Sequence, residues 1–331
     1  MKIAAIRPRV SAGNAFAELF SRSLEENGFA TREFSWSGLL LPRQSHVILH
    51  WPDYFFQEAS ADTLLRLQAL KIARAIHGAK IVWVAHNISP HDNATESREM
   101  ARRFLRAVDG IVHLSAHSPD LLREAFGIAP RREIVVPHGN YAPSMRLPVA
   151  AESRDFELLR LFSFGQIRRY KNLESLISCA RAVRSQDLRL TISGRRMDEA
   201  VSAGLEALAS GDPSIVLDLR PLALPQEELE AGVDESHAVV LPYAAINNSG
   251  AAIFALSRHR PVLAPRLGAL PELLAEVGAD WLRLYDGPLT SEILEDFANW
   301  LTARRPGAPP DLSARSWETI GRRLADFLAS L

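Results

Sequence analysis

Sulfur and lysine are scarce in this 331-residue chain. A single cysteine, Cys179, excludes an internal disulfide framework and a cysteine-built zinc cluster. No stretch approaches the roughly 18–20 uncharged apolar residues that a membrane-spanning helix requires. The opening run Met1-Lys2-Ile3-Ala4-Ala5-Ile6 is cut short by Arg7 and Arg9, and does not read as a secretory leader. Net charge is only -1, from 38 basic and 39 acidic side chains, and 47% of residues are hydrophobic, so the chain is not a disordered one. Nor is any basic run dense enough to point to nucleic acid. What remains is a disulfide-free protein, expected in the cytoplasm, with roughly two domains of about 150 residues each.

What charge there is lies unevenly. Residues 1–150 carry 18 basic and 14 acidic side chains, a balance of +4, and the remaining 181 carry 20 and 25, a balance of -5. Of the 38 basic residues 34 are arginine and four are lysine. Arginine suits bidentate phosphate recognition, although genomic base composition produces the same bias.

Short β-branched runs alternate with longer amphipathic stretches. The first half has strand candidates at Lys2–Ile6, Ala30–Phe34, His46–His50, Lys80–Ala85, Gly110–His113 and Glu133–Val136. Helix-like stretches lie between them at Asn14–Asn27, Glu58–His77, Glu96–Val108 and Ser118–Phe126. The second half repeats the scheme with strands at Leu159–Gly165, Leu188–Ser193, Ile215–Leu219, Ala238–Leu241 and Pro261–Ala264, and helices at Asn172–Arg184, Pro225–Val233 and Ser249–Arg258. Such alternation predicts α/β architecture with parallel sheets flanked by helices. Two series predict two doubly wound domains, 1–145 and 146–312, facing a cleft, with the break near the proline-interrupted Tyr141–Arg154 segment.

Loops at strand ends carry the chemistry. Phe164-Gly165-Gln166-Ile167-Arg168-Arg169-Tyr170-Lys171-Asn172 follows a strand and opens a helix. Gly165 lets backbone approach a ligand, and Arg168 and Lys171 set cations beside a helix start, which suits a diphosphate. An ordinary turn with solvated charges would look the same. A second segment, Tyr243-Ala244-Ala245-Ile246-Asn247-Asn248-Ser249-Gly250, also opens a helix. Asn247, Asn248, Ser249 and Gly250 leave amides uncovered for an anion, while Asn248 or Ser249 caps the helix in any case. Two such turns in one domain point to a nucleotide diphosphate.

These two turns, with Arg260-Pro261-Val262, resemble group 1 glycosyltransferases of GT-B architecture, which have two Rossmann-like domains facing a cleft. Val136-Pro137-His138-Gly139-Asn140 is similar to their interdomain I-P-x-G segment, and Leu267-Gly268-Ala269-Leu270-Pro271-Glu272 to their G-G-x-P-E turn. The resemblance implies transfer of a sugar from a UDP- or GDP-sugar donor held by the second domain, with no obligate cofactor. The chain departs from the pattern in two places. Ile246 and Phe254 stand where many members carry two glutamates, and Gln166 where an arginine follows the turn glycine. The Gly165–Lys171 turn and the Asn248-Ser249-Gly250 helix start resemble a bacterial polysaccharide-biosynthesis subgroup with Gly-x-Ile-Arg-x-Tyr-Lys turns and Asn-Ser-Gly helix starts.

In the first half, Val84-Ala85-His86-Asn87-Ile88-Ser89-Pro90-His91-Asp92 places two histidines and a carboxylate directly after a strand. An inverting transfer needs a base for the acceptor hydroxyl, and Asp92, or His91 oriented by it, suits that role. In a retaining transfer the same groups would position substrate. His86 resembles the family's post-strand cleft histidine, and His91 and Asp92 the subgroup's pattern. His86, His91 and Asp92 match no tight zinc spacing, so no obligate metal is expected. Gly13 and Asn14, in the loop after the first strand, resemble the family's acceptor-side loop, and Asn87 stands beside His86. His50-Trp51-Pro52-Asp53-Tyr54-Phe55-Phe56 ends the third strand with aromatics of an exposed type, suited to sugar or lipid, although core packing is the commoner use. Arg98, Arg102 and Arg106 share one helix face, which suits anionic lipid headgroups or an acceptor pyrophosphate, or is simply solvated and balanced by Glu96 and Glu99. The segment 313–331 reads as a final helix that, by the resemblance, crosses back to the first domain.

The leading expectation is a peripheral, cytoplasmic hexosyltransferase in surface polysaccharide biosynthesis, working on a glycan or lipid-linked acceptor at the inner face of the membrane. The alternatives are a GT-B sugar-nucleotide epimerase or phosphorylase and a catalytically silent nucleotide- or glycan-binding protein.

Overall fold

The computed structural model describes residues 2–11, 14–40, 44–88, 97–148, 157–185, 187–303 and 307–331. They form two compact units, Met1–Gly139 with Ser313–Leu331, and Asn140–Leu312.

In the first unit the chain runs β1 (Lys2–Arg7), α1 (Phe16–Glu25), β2 (Phe29–Glu33), β3 (His46–His50), α2 (Ala61–His77), β4 (Lys80–Ala85), α3 (Arg98–Ala107), β5 (Gly110–His113), α4 (Ser118–Phe126) and β6 (Glu133–Val135). The strands make one parallel sheet in the order β2-β1-β3-β4-β5-β6. A parallel sheet is covered on both faces, so its strands read as nearly unbroken apolar runs. β3 and β5 are buried at every residue. The order reverses at β1, and loops leaving β1 and β3 therefore diverge to opposite faces and open a crevice at their carboxyl ends.

The second unit contains β7 (Leu159–Ile167), α5 (Leu173–Ala182), β8 (Leu188–Arg196), α6 (Glu199–Ala209), β9 (Ile215–Arg220), α7 (Gln226–Glu235), β10 (Ala238–Val240), α8 (Gly250–Ser257), β11 (Val262–Pro265), α9 (Leu270–Val277), β12 (Leu282–Tyr285) and α10 (Ser291–Ala303). Its parallel sheet has the order β12-β11-β10-β7-β8-β9 and reverses between β7 and β10. α8 is buried from Ala252 through Ser257 without interruption. A helix apolar all round belongs in a core.

Four elements were not foreseen: α6, α9, α10 and β12. The Leu270-Pro271-Glu272 stretch read as a turn is the first turn of α9. Proline is tolerated there because that amide has no intrahelical acceptor.

The last helix, α11 (Trp317–Ser330), belongs to the first unit. Gly321 lets it close on α1, since a Cβ there would lie 2.7 Å from the Ser23 carbonyl oxygen. His46 Nε2 donates to the Leu328 carbonyl at 2.8 Å. Gly139 is demanded in the same way, because a Cβ would sit 2.4 Å from the Trp317 ring. Among the described residues no helix is long and apolar enough to cross a membrane.

Two expectations are corrected. The aromatics after β3 are largely core rather than exposed: Phe55 and Phe56 are buried, and Phe55 stacks on Phe104 at 4.5 Å. The arginine face of α3 is also smaller than its spacing implied. Arg98 and Arg106 are exposed, but Arg102 is half-buried and donates from Nε to the Phe126 carbonyl at 2.8 Å, covering an open carbonyl at the end of α4.

Candidate functional site

The two sheet reversals select two loop clusters, one in each unit.

In the second unit the cluster is formed by the loops after β7 and β10. Gly165, at φ +119, occupies backbone space closed to side-chain-bearing residues, and a Cβ on it would meet Lys171 Nζ at 3.3 Å. The adjoining Gly194 admits no Cβ, since one would stand 1.9 Å from the Gly165 carbonyl oxygen. Asn172, at φ +53, turns the chain into α5. The Ala244 amide donates to the Tyr170 carbonyl at 2.9 Å and ties the two loops together. The glycine turn before α9 abuts the same place. Gly268 has φ +53, a Cβ on it would lie 2.3 Å from the Ile246 carbonyl oxygen, and the next amide, Ala269, donates to the Asn247 carbonyl at 2.9 Å.

Lys171 is the main charge of this cluster. It is 8% exposed, with Nζ 3.3 Å from the Tyr243 hydroxyl and 4.6 Å from the Tyr243 ring centre. The Tyr243 hydroxyl continues to Ser249 Oγ at 3.3 Å, and burial pushes its pKa up to about 12. No carboxylate pairs with Lys171 among the described residues. Burial accordingly pulls the ammonium below its ordinary value. A buried cation without a counter-charge is costly unless an anion joins it, and that makes it a candidate ligand site.

Ser249 caps α8, its Oγ accepting from the Ala252 amide at 3.2 Å while its carbonyl accepts from Ile253. The first-turn amides of Gly250 and Ala251 remain for a ligand. Asn247 is buried and Asn248 half-buried beside them. Arg168 is half-buried and donates from Nε to the Gln166 side-chain carbonyl at 3.0 Å. The structure thus brings together Gly165, Lys171 and the 247–250 helix start, with Arg168 on the same loop as Lys171. The residues at the glutamate positions behave otherwise: Phe254 packs between Phe164 and Tyr141 at 5.5 and 5.6 Å. Arg260, part of the resemblance, is structural. It is buried and donates to the carbonyls of Asp234, Arg258 and His259.

In the first unit the cluster is aromatic. His50 ends β3 and His86 follows β4, with His50 Nδ1 3.0 Å from His86 Nε2. Trp51 stacks on His86 at 4.3 Å, and Phe16 packs against His86 and His138 at 4.8 and 4.4 Å. Trp51 has φ +47, a strained backbone for a bulky residue and a mark of functional sites. His50 Nε2 is buried with no hydrogen-bond partner among the described residues. A bare lone pair there costs less than an orphaned N–H, so His50 donates through Nδ1–H and His86 accepts through Nε2. The Gly139 carbonyl, 2.9 Å away, fixes the His138 proton on Nδ1.

All three imidazoles are neutral. Burial pulls His50 down to about 3 and His138 to about 4, and His86 well below its ordinary value, with His50 and His138 adding to the effect. The unfolded chain therefore binds more protons than the fold, and stability is full above about pH 6.5 and lost below it. At up to roughly 1.4 kcal/mol per pH unit for each group, and half that at pH 6.5 itself, His50 and His138 together withdraw about 3 kcal/mol between about pH 6.5 and about pH 5. Urea unfolding across that range measures the slope, and the double variant His50→Gln/His138→Gln makes it shallower, with His86 still contributing.

Asn14 accepts from the Phe16 amide at 3.0 Å and shapes the start of α1. Asn87 is half-buried beside His86. Gly13, His91 and Asp92 lie outside the described residues. Sequence reasoning singled out the His50–Phe56 segment for its aromatics but missed the pairing of His50 with His86, and it gave Tyr243 no role of its own; their positions at strand ends acquire meaning once strand order is known. Among the described residues no three His, Cys, Asp or Glu side chains converge as metal ligands.

No profile of a known protein family matches the chain. It is 30% identical over 296 residues to the GDP-mannose:glycolipid 4-beta-D-mannosyltransferase of Xanthomonas campestris pv. campestris, covering 88% of this chain and 81% of that protein. HepE of Anabaena, solved with UDP, superposes over the whole of both chains with TM-score 0.73 at 14% identity. Sucrose-phosphate synthase of Thermosynechococcus elongatus does so with TM-score 0.68 at 15% identity, over 99% of this chain and 94% of that one. The paired Rossmann-like sheets and the extent of the mannosyltransferase match establish that the chain belongs to the GT-B glycosyltransferases and is a nucleotide-sugar-dependent hexosyltransferase.

Proposed function

We propose that the enzyme moves a hexose, mannose in the first instance, from a guanosine diphosphate sugar to a hydroxyl of a membrane-borne glycolipid in surface polysaccharide biosynthesis. The observation that carries the donor half is Lys171, buried at the sheet reversal with no carboxylate partner among the described residues. A diphosphate supplies the missing counter-charge. Lys171 and Arg168 neutralise it, and the Gly250 and Ala251 amides meet its oxygens at the positive end of α8. Gly165 and Gly194 keep the β7 loop open to it, and Asn247, Asn248 and Ser249 complete the rim. As the diphosphate leaves, these groups stabilise the charge that builds on it.

Guanosine is favoured over uridine by the mannosyltransferase likeness, because the neighbour holding UDP is 14% identical and speaks for fold alone. In the first unit, Gly13, Asn14 and Asn87 line the acceptor side, and His91 and Asp92 take the hydroxyl proton. His86, neutral and accepting from His50, orients rather than deprotonates.

Thermal-shift titration tests the donor assignment. A ligand at 100 times its dissociation constant adds about 2.7 kcal/mol of stability. GDP is expected to stabilise the protein clearly, UDP less, and guanosine hardly at all. Equal shifts with GDP and guanosine would refute the diphosphate site.

A further inference from the structure

α2 has two apolar faces, and the fold covers one. Thr63, Leu67, Leu70 and Ala73 are buried against the first unit's core. On the opposite side Leu65, Ile72 and Ile76 are 70, 43 and 70% exposed, and the half-buried Ala69, which also packs on the core, lies in the same column at its edge. Their spacing, i, i+4, i+7 and i+11, is that of a single helix face. A surface helix of a soluble protein ordinarily turns charged residues outward there.

The flanks are cationic. α2 carries Arg66, Lys71 and Arg74 against Asp62 alone. Asp62 is engaged by Arg66 at 2.7 Å, and Arg74 reaches Asp109 at 3.0 Å. Lys71 has no ion pair among the described residues. α3 packs beside α2 and adds the exposed Arg98 and Arg106, likewise without ion pairs among the described residues.

We propose that this outer face of α2 inserts into the headgroup region of an anionic lipid bilayer, with Lys71, Arg98 and Arg106 on the phosphates. The inference rests on the reading of the acceptor as a glycolipid, and names the surface that would hold the enzyme where such an acceptor lies. Charge decides between a bilayer and a second copy of the chain. A second copy would set the same cationic helix against itself, whereas an anionic membrane answers both the apolar stripe and its flanks.

Co-sedimentation with phosphatidylcholine vesicles, with and without phosphatidylglycerol, provides the test. The protein is expected to bind the anionic vesicles, less at high salt. The variant Leu65→Glu/Ile72→Glu/Ile76→Glu is expected to lose binding by roughly tenfold or more. Hydrogen exchange on the unaltered protein reads the site directly: α2 amides should gain protection when anionic vesicles are added. Absence of vesicle binding, unchanged binding of the variant, or unchanged exchange in α2 would overturn the proposal. So would a dimer in sedimentation velocity that the variant abolishes. GDP thermal shifts on the same samples report the donor site alone, so failure here is distinguishable from failure of the glycosyl-transfer reading.

Discussion

Replacing Lys171 with methionine raises the unfolding temperature of the ligand-free protein while weakening GDP binding by roughly 10- to 100-fold. The two effects share one cause. Lys171 is a buried cation whose hydrogen-bond partner is the neutral Tyr243 hydroxyl. A hydrogen bond to a charged group contributes about 1.5–3 kcal/mol, which sets the loss in affinity. Without ligand the same charge is a liability, and methionine fills the space without it, a gain of about 1 kcal/mol or more. The sign follows from linkage. Burial lowers the Lys171 pKa, so the unfolded chain binds the proton more tightly. The penalty on the fold is largest below the lowered value and is relieved as pH climbs towards the ordinary 10.5. Calorimetry with GDP and with guanosine checks the assignment: guanosine binding should change little. A variant that is both less stable and equally weakened towards the two ligands would place Lys171 in the scaffold.

Asp92→Asn lowers turnover by roughly 100-fold or more and leaves GDP affinity unchanged. The substitution keeps shape and removes basicity. The described part of the first unit strengthens the case, because His86 is a poor base. Its Nε2 already accepts from His50, and its pKa lies well below the ordinary value. The proposed proton acceptor is therefore sought in His91 and Asp92, which follow His86 closely in the sequence. Initial rates at saturating donor decide the matter. If Asp92→Asn and His91→Ala both turn over as the parent does, the loop only positions substrate. Retention of anomeric configuration in the product, read by NMR, would independently leave no place for a conventional base.

The strand runs were legible because a parallel sheet buries both faces, and β3 and β4 therefore read as nearly continuous apolar segments. The β12 run, Leu282–Tyr285, was not, because four residues at a sheet edge with an exposed Arg283 carry too little pattern. α6 was hidden by Gly204 and by short polar interruptions in its apolar face. Phe55 and Phe56 looked exposed because they follow a strand and a proline, and only their contacts with Phe104 and Trp83 show them to be core.

By itself the sequence determined the alternation of elements, the two anion-ready turns and the family likeness, since each is written in residues close together along the chain. Strand order was decided by tertiary structure alone. It set the β7 and β10 loops side by side, so that Lys171 and Ser249, distant in sequence, meet through Tyr243. It likewise paired His50 with His86 and left Leu65, Ile72 and Ile76 uncovered. Hydrophobic periodicity says that a face is apolar. Whether that face is covered, and which buried charge lacks its partner, depends on what the rest of the fold brings against it.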